Sequence, residues 1–289
     1  MEDTKKIVAI QGYNGAFHEI AARGFFQNNN LEIFPCSTFE ESVEACENYQ
    51  SDFTVMAIEK TISGSILQNY AILRNSNLLI IGEIYLRISQ SLLVNNGIAI
   101  QDLKEVHSHP MAINQCRVFF KKYPHIKLVE SEDTALSAKY VAENKSKDIG
   151  AIASKLASEI YNLNIIAEGI ETNKRNYTRF LVLIQRDNIK LIPSEIDKSS
   201  LCFTVPHETG SLSKVLSVIA FYGINLTKIQ SFPILGREWQ YLIFIDITFN
   251  DAERYRKALE AIKPLTDGLE IMGEYQIGKK SFKEVHNYI

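Results

Sequence analysis

The chain has 289 residues, of which 46% are hydrophobic and 22% charged, with a net charge of −3. That length allows two or three compact units, and that composition excludes a disordered chain. The weak negative charge excludes a global basic field, and no apolar run approaches a signal-peptide core or a membrane span, so a cytoplasmic protein with neither nucleic acid nor membrane as partner is expected.

From residue 7 to residue 185 short apolar strands alternate with helical stretches, an α/β pattern. The patterning predicts strands at 7–10, 54–58, 78–87, 91–94, 149–152 and 179–184. It predicts helices at 17–27, 39–48, 111–122, 134–144 and 155–161. The polar stretch 186–200, which holds Pro193, reads as a linker with its centre at 188–198. Beyond it come a strand at 201–205, a helix at 211–222, strands at 224–234 and 239–249 joined at Gly236, a helix at 252–262 and a strand at 269–277. That order is βαββαβ, the split unit of ferredoxin-like folds, in a length suited to a small domain. The tail, 279–289, carries no signal.

Cys36, Cys46, Cys116 and Cys202 are scattered and are expected as reduced thiols in apolar surroundings. His107 and His109 are the only close histidines, and no third ligand lies near them, so no metal site is expected.

One device recurs in the first part. A strand ends, a small or polar loop follows, and a helix begins. The loops are Gln11-Gly12-Tyr13-Asn14-Gly15-Ala16, then Glu59-Lys60-Thr61-Ile62-Ser63-Gly64-Ser65, then Ser108-His109-Pro110, then Ser131-Glu132-Asp133-Thr134. Helix N-termini offer free N–H groups and a positive dipole end to carboxylates or phosphates. The same residues also serve as plain helix caps. Gly12 and Gly15 match neither the dinucleotide fingerprint nor a phosphate loop, so no nucleotide cofactor is expected. A fifth feature is Asn176-Tyr177-Thr178-Arg179-Phe180, which sets an amide, a hydroxyl and a guanidinium at the mouth of the apolar strand Leu181-Val182-Leu183-Ile184. If Thr178 faces a cleft, strand alternation turns Phe180 the same way and Arg179 away, leaving Arg179 either structural or, with irregular backbone, in contact with substrate.

Asn176-x-Thr178-Arg179-Phe180 before an aliphatic run resembles the signature of prephenate dehydratases. Gly12-Tyr13-Asn14-Gly15-Ala16-Phe17 resembles the family's opening glycine loop. Ala57-Ile58-Glu59-Lys60-Thr61 with Gly64-Ser65 resembles its Pro-Ile-Glu-Asn-Ser segment. Ser108-His109-Pro110 with Gln115-Cys116, and Gly150-Ala151-Ile152-Ala153-Ser154, match two more of its segments in order. The chain departs from the family at Ala57, Lys60 and Met111, where Pro, Asn and Gln are usual. Past the linker, Gly210-Ser211-Leu212-Ser213 and Gln230-Ser231-Phe232-Pro233 resemble the two effector segments of an ACT domain, without the usual Glu and Arg of the second.

The resemblance implies a two-lobed catalytic domain over 1–187, similar to type II periplasmic binding proteins, and a ferredoxin-like ACT regulatory domain over 199–278. It implies conversion of prephenate to phenylpyruvate without metal or cofactor, inhibition by phenylalanine, and a homodimer or homotetramer. With no helical stretch before residue 7, no mutase activity is expected beside it. Thr178 is implied to serve the leaving hydroxyl. Asn14, Gly15, Ala16, Phe17, Glu59, Thr61, Ser63, Gly64, Ser65, His109, Thr134, Asn176, Arg179 and Phe180 are implied around the substrate. Gly210, Ser211, Leu212, Asn225, Leu226, Gln230 and Ser231 are implied around the effector. An arogenate dehydratase, or a non-catalytic amino-acid sensor, are the alternatives.

Overall fold

The structure, a computed structural model, describes residues 5–27, 30–188, 193–234, 236, 240–278 and 280–281. Trp239 at the head of a predicted strand, part of the linker and most of the tail lie outside these residues. The chain forms two compact units: one drawn from 1–72, 84–180 and the residues after 279, the other from 73–83 and 181–279.

The first unit has two lobes. In lobe one, β1 (Lys6–Gln11) lies between β2 (Leu31–Cys36) and β3 (Phe53–Lys60), all parallel, with Ile10 opposite Pro35 and Ala9 opposite Thr54. The short β4 (Gly64–Ser65) folds back on β3. Helices α1 (Phe17–Phe26) and α2 (Phe39–Glu47) return the chain between parallel strands, as the right-handed crossover rule requires. Thr38 caps α2 through Glu41 N–H, and Glu41 reaches back to Ser37 N–H. Val8, Ala9, Ile10, Val55, Met56 and Ile58 are sealed in the core. Next come α3 (Leu67–Asn75) and β5 (Leu78–Arg87).

Lobe two is a five-stranded sheet of order β10-β6-β9-β7-β8. Its strands are β6 (Ser91–Val94), β7 (Glu105–Ser108), β8 (Lys127–Glu130), β9 (Ile149–Ala153) and β10 (Asn164–Ala167). Its helices are α4 (Pro110–Phe120), α5 (Thr134–Glu143) and α6 (Lys155–Ile160). Pro110 opens α4, where its missing N–H leaves no hydrogen bond unmade. Asp133 and Ser154 cap α5 and α6 through Leu136 N–H and Ala157 N–H. The chain then returns to lobe one in β11 (Tyr177–Gln185), whose residues are buried from Thr178 onward. The two crossings between lobes are bonded together, since Ile88 N–H donates to the Asn176 carbonyl at 2.8 Å.

Within the second unit the order is β12 (Lys198–Thr204), α7 (Ser211–Phe221), β13 (Asn225–Pro233), β14 (Tyr241–Thr248), α8 (Ala252–Ile262) and β15 (Asp267–Tyr275). The strands lie as β13-β14-β12-β15, antiparallel throughout, with both helices packed over one apolar cluster that includes Phe203, Val215, Ile245 and Tyr255. This is the βαββαβ order read from sequence, in ferredoxin-like strand order. The last described element is β16 (Lys280–Ser281), paired with β5 at Tyr85 and Leu86. Seven of these elements were not predicted: β2, β4, α3, β7, β8, β10 and β16. All four cysteines are free and buried. No helix among the described residues is long and apolar enough to cross a membrane.

Residues 73–83 are held in the second unit by a buried ion pair. Lys198 Nζ reaches Glu83 Oε1 at 2.8 Å and Oε2 at 2.9 Å, with both side chains under 5% exposed, and Gly278 N–H donates to the same carboxylate. Removing one partner strands the other charge in an apolar setting. Lys198→Met is therefore expected to destabilise the fold by about 3–5 kcal/mol, read from urea unfolding. Adding Glu83→Met should recover most of that loss; a double variant no better than the single would show that the pair is not coupled.

Candidate active site

A cavity of about 390 Å³ opens between the two lobes of the first unit. Besides the start of α3 (Ile66, Gln68), four helix N-termini meet at it. They belong to α1 (Ala16, Phe17, His18), α2 (Ser37 to Glu40), α4 (His109, Met111) and α5 (Glu132 to Thr134). Each follows the carboxyl end of a parallel strand, where α/β sheets place their ligands. β11 contributes Thr178 and Phe180, with Asn176 just before it, and the lobe crossing contributes Ile88 and Gln90.

β11 reaches the cavity in the alternation expected for a strand. Thr178 and Phe180 line the space, while Arg179, buried and on the other face, does not. Thr61 holds the mouth of this strand. Its N–H donates to the Tyr177 carbonyl at 2.8 Å, its hydroxyl accepts from Tyr177 N–H at 2.9 Å, and the same hydroxyl donates to the Arg175 carbonyl at 3.0 Å. Thr61 is thus a brace one step behind the wall, not part of the wall.

Of the residues expected at the substrate, Ala16, Phe17, His109, Thr134, Asn176, Thr178 and Phe180 line the cavity. Asn14, Gly15, Glu59, Thr61, Ser63, Gly64, Ser65 and Arg179 do not, and the reasons are local. The glycine loop is turned against α6. The Gly15 carbonyl accepts from Ser154 Oγ at 2.5 Å, the Asn14 carbonyl accepts from the Tyr161 hydroxyl at 2.8 Å, and Gly15 N–H donates to Glu19 at 2.7 Å. At Gly15 φ is +90°, and a Cβ there would stand 2.8 Å from Cα of Ala157. The position demands glycine for both reasons. Glu59 faces away from Lys60 on β3 and pairs with Ser65, so Gly64 and Ser65 belong to the β4 return, and Ser63 is exposed in the turn before it. Sequence reasoning missed His18, the α2 start and Gln90. The α2 start was hidden because β2 went unrecognised, and His18 looked like an ordinary helical residue.

The polar groups in this cavity are poorly compensated by the protein. His18 Nε2, Asn176 Nδ2 and the Gln90 side-chain oxygen are buried with no hydrogen-bond partner among the described residues. Unpaired buried polar atoms are rare in native proteins, and these three are free to bond a ligand or water in the cavity. His18 is held between Phe39 and Phe180, ring centres 5.5 and 5.0 Å away. Burial, and next the Lys60 charge, lower its pKa to about 3. His109 accepts Met111 N–H on Nδ1 at 3.2 Å, which leaves the proton of its neutral ring on Nε2. Its pKa is also lowered, by burial and then Lys60, against a smaller opposing pull from Asp133 and Glu130. Burial raises the Asp133 carboxyl, and backbone hydrogen bonds at the α5 start oppose the shift. Both rings are therefore neutral near pH 7, and Lys60 is the cation on the wall. Phe17, Phe39, Ile66, Ile88 and Phe180 supply an apolar surface for a ring. The site suits a small anionic ligand with one ring. No cluster of three metal-ligating side chains occurs among the described residues.

A family profile described as prephenate dehydratase matches residues 8–188. Arogenate dehydratase 2 of Petunia hybrida is 37% identical over 95% of this chain and 72% of its own. The bifunctional chorismate mutase/prephenate dehydratase of Aquifex aeolicus is 37% identical over 94% of this chain and 74% of its own. Among solved structures, one titled a novel type of quorum quenching acylase is 27% identical, with a TM-score of 0.83 over 94% of this chain and 98% of that one. The prephenate dehydratase of Arthrobacter aurescens in complex with L-Phe is 24% identical, with a TM-score of 0.80 over 93% and 90% of the chains, and speaks to the fold.

The neutral His18 ties stability to pH. Its folded pKa, about 3, lies below the ordinary 6.5, so its contribution is complete above 6.5 and is lost as pH falls toward 3. At about pH 5 the loss should be near 2 kcal/mol. Urea unfolding at about pH 7.5 and pH 5 is expected to give a smaller difference for His18→Phe than for the parent. Equal differences would mean that His18 is solvated.

Proposed function

Because this chain belongs to the prephenate dehydratase family, we propose that it converts prephenate to phenylpyruvate and that phenylalanine inhibits it through the βαββαβ unit. The observation that supports the first part most directly is one face of β11 and its entry: Asn176 Nδ2, without a partner among the described residues, and Thr178 both line the cavity two positions apart.

The ring carboxylate of prephenate leaves as CO2. The electron pair of the broken C–C bond enters the ring, and the ring C–O bond breaks. The departing hydroxide takes up one proton and leaves as water. Aromatisation drives the step, so the protein has to orient a dianion and stabilise the departing oxygen. In this reading the Thr178 hydroxyl donates a hydrogen bond to that oxygen, which strengthens as charge develops. A threonine is too weak an acid to be the final proton source, so it acts as a hydrogen-bond donor or as one link of a relay. Asn176 Nδ2 and the free N–H groups of the helix starts hold carboxylates. Phe17, Phe180 and Ala16 bound the ring, and His109 and Thr134 close the lobe-two side.

The domain division proposed is a dehydratase domain over 1–187, a linker over 188–198, an ACT regulatory domain over 199–278 and a tail after it. Residues 73–83 belong with the second compact unit, so the functional boundary is not a single cut in the chain. The proposal also places the enzyme in the cytoplasm, which cell fractionation tests.

The effector residues support a dimer or a tetramer by their register. Asn225 shares a row of the second sheet with Thr248 and Lys198, whereas Phe232 shares one with Leu242 and Thr204. Gly210 follows Thr204 at the start of α7, with φ of +83° and open space where a Cβ would lie. Gly210, Ser211 and Leu212 therefore sit at the end of the sheet marked by Gln230 and Ser231, and Asn225 and Leu226 at the other, roughly 20 Å away along the strand. One copy cannot gather both sets around one amino acid. Two copies, each lending one end, can.

Two experiments test these readings. Purified protein is expected to form phenylpyruvate from prephenate faster than it forms phenylalanine from arogenate, and Thr178→Ala should lower turnover on the order of 100-fold without unfolding. A preference for arogenate would reassign the substrate, and no turnover of either would leave an amino-acid sensor. Calorimetry should detect phenylalanine binding that Gly210→Val weakens, with uninhibited turnover less affected; no binding at millimolar concentration would reduce the second unit to an assembly role.

A further inference from the structure

Lys60 ends β3 at the cavity and is the one lysine or arginine among the described residues that line it. No ion pair or side-chain hydrogen bond holds its ammonium among the described residues, whereas Glu83, Glu171, Glu270 and Glu274 each have a cation. Its charge is felt by His18 on α1 and by His109 at the head of α4, so it stands where the two lobes face one another. The other ionisable groups around the cavity are Glu40 on α2 and Glu132 and Asp133 at the start of α5, with Glu59 beside it in sequence on the opposite strand face. Asp133 is turned to the backbone of α5, where its Oδ1 accepts Leu136 N–H at 2.9 Å. Burial lowers the Lys60 pKa, and no carboxylate acts to raise it. A lysine left so is costly unless something anionic enters beside it.

We propose that the Lys60 ammonium grips one carboxylate of the substrate, as the charged member of an otherwise uncharged set of donors. The proposal deepens the dehydratase reading and rests on it for the identity of the ligand. Asn176 Nδ2 and the helix N–H groups offer neutral hydrogen bonds, and Lys60 adds a charge-assisted one, about twice as strong in a water-poor site. In the segment that resembles the family's Pro-Ile-Glu-Asn-Ser run, this chain thus sets a full charge where a neutral amide is usual. Its grip follows its protonation. As pH rises through the lowered pKa the ammonium is lost, and with it the affinity for an anion.

The test is steady-state kinetics of the full chain with Lys60→Met and Lys60→Arg, across pH. Lys60→Met should raise KM for prephenate about 10- to 100-fold, change kcat less, and abolish the fall of kcat/KM on the alkaline side. Lys60→Arg should return KM to within several-fold of the parent and move that fall to higher pH. The urea midpoint of Lys60→Met should not drop, since a half-buried charge with no ion pair among the described residues has been removed; a drop with unchanged KM would mark a merely structural lysine. An unchanged KM and pH profile in Lys60→Met overturns the proposal while leaving the dehydratase reading intact. If the parent protein turns over neither prephenate nor arogenate, that reading fails, and calorimetry with unconsumed prephenate decides on Lys60 separately. Weaker binding by Lys60→Met than by the parent then supports the grip, and equal binding, or none by the parent, overturns it.

Discussion

The fit of Gly15 against Ala157 is the constraint on which the site depends. The helix that carries Ala157 belongs to lobe two, and the loop that carries Gly15 closes the first strand of lobe one. Backbone approaches side chain so closely there that no Cβ can be inserted. Ser154 then spends one hydroxyl twice, capping its own helix and binding the Gly15 carbonyl. Tyr161 adds a third bond, to Asn14. The lobes are therefore fixed to each other directly beside the cavity they share, and the helix starts around it are aimed at one volume. Positioning of this kind is what a protein contributes where catalysis rests on orientation and electrostatic stabilisation.

Given that frame, the electrostatics follow from burial. Two histidines that titrate near neutrality in water are kept neutral by desolvation, and a lysine has no ion-pair partner among the described residues. Without partners, such groups do less for stability than apolar side chains of similar size. In the proposed reading a carboxylate-bearing ligand pairs with the lysine, beside the wall residues Glu40, Glu132 and Asp133. Asn176 Nδ2, which has no hydrogen-bond partner among the described residues, fits the same scheme.

How much of this was legible depended on whether a residue's partner was near in sequence. Central strands such as β5, β6 and β11 declare themselves as apolar runs, and their bounds fell within two residues of the pattern. Most of the missed strands lie at sheet edges. β2 carries Glu32 and Pro35, β8 starts and ends on exposed charged residues, and β10 is only half-buried. An edge strand is paired on one side and tolerates such residues, so the alternation that reveals a strand is lost. At the site, alternation along β11 correctly separated Thr178 and Phe180 from Arg179. At the glycine loop no such pattern helps, because residue types that suit a ligand suit helix packing equally, and the partner seen there lies about 140 residues further on.

The second unit carries the same lesson at a larger scale. Motif order sets Gly210 near Asn225 in sequence, and it is natural to draw them around one ligand. Pairing geometry separates them, because α7 runs back along the sheet and β13 starts again at the far end. β13 is also the outer strand of its sheet, with exposed and half-buried residues alternating along its whole length. An unpaired strand edge invites a second chain. In the proposed reading, a residue set divided between two ends of one sheet, beside its outer strand, becomes a site when two copies combine. A response to an amino acid would then be a response of the assembly, and its strength would depend on the concentration of the protein as well as that of the effector.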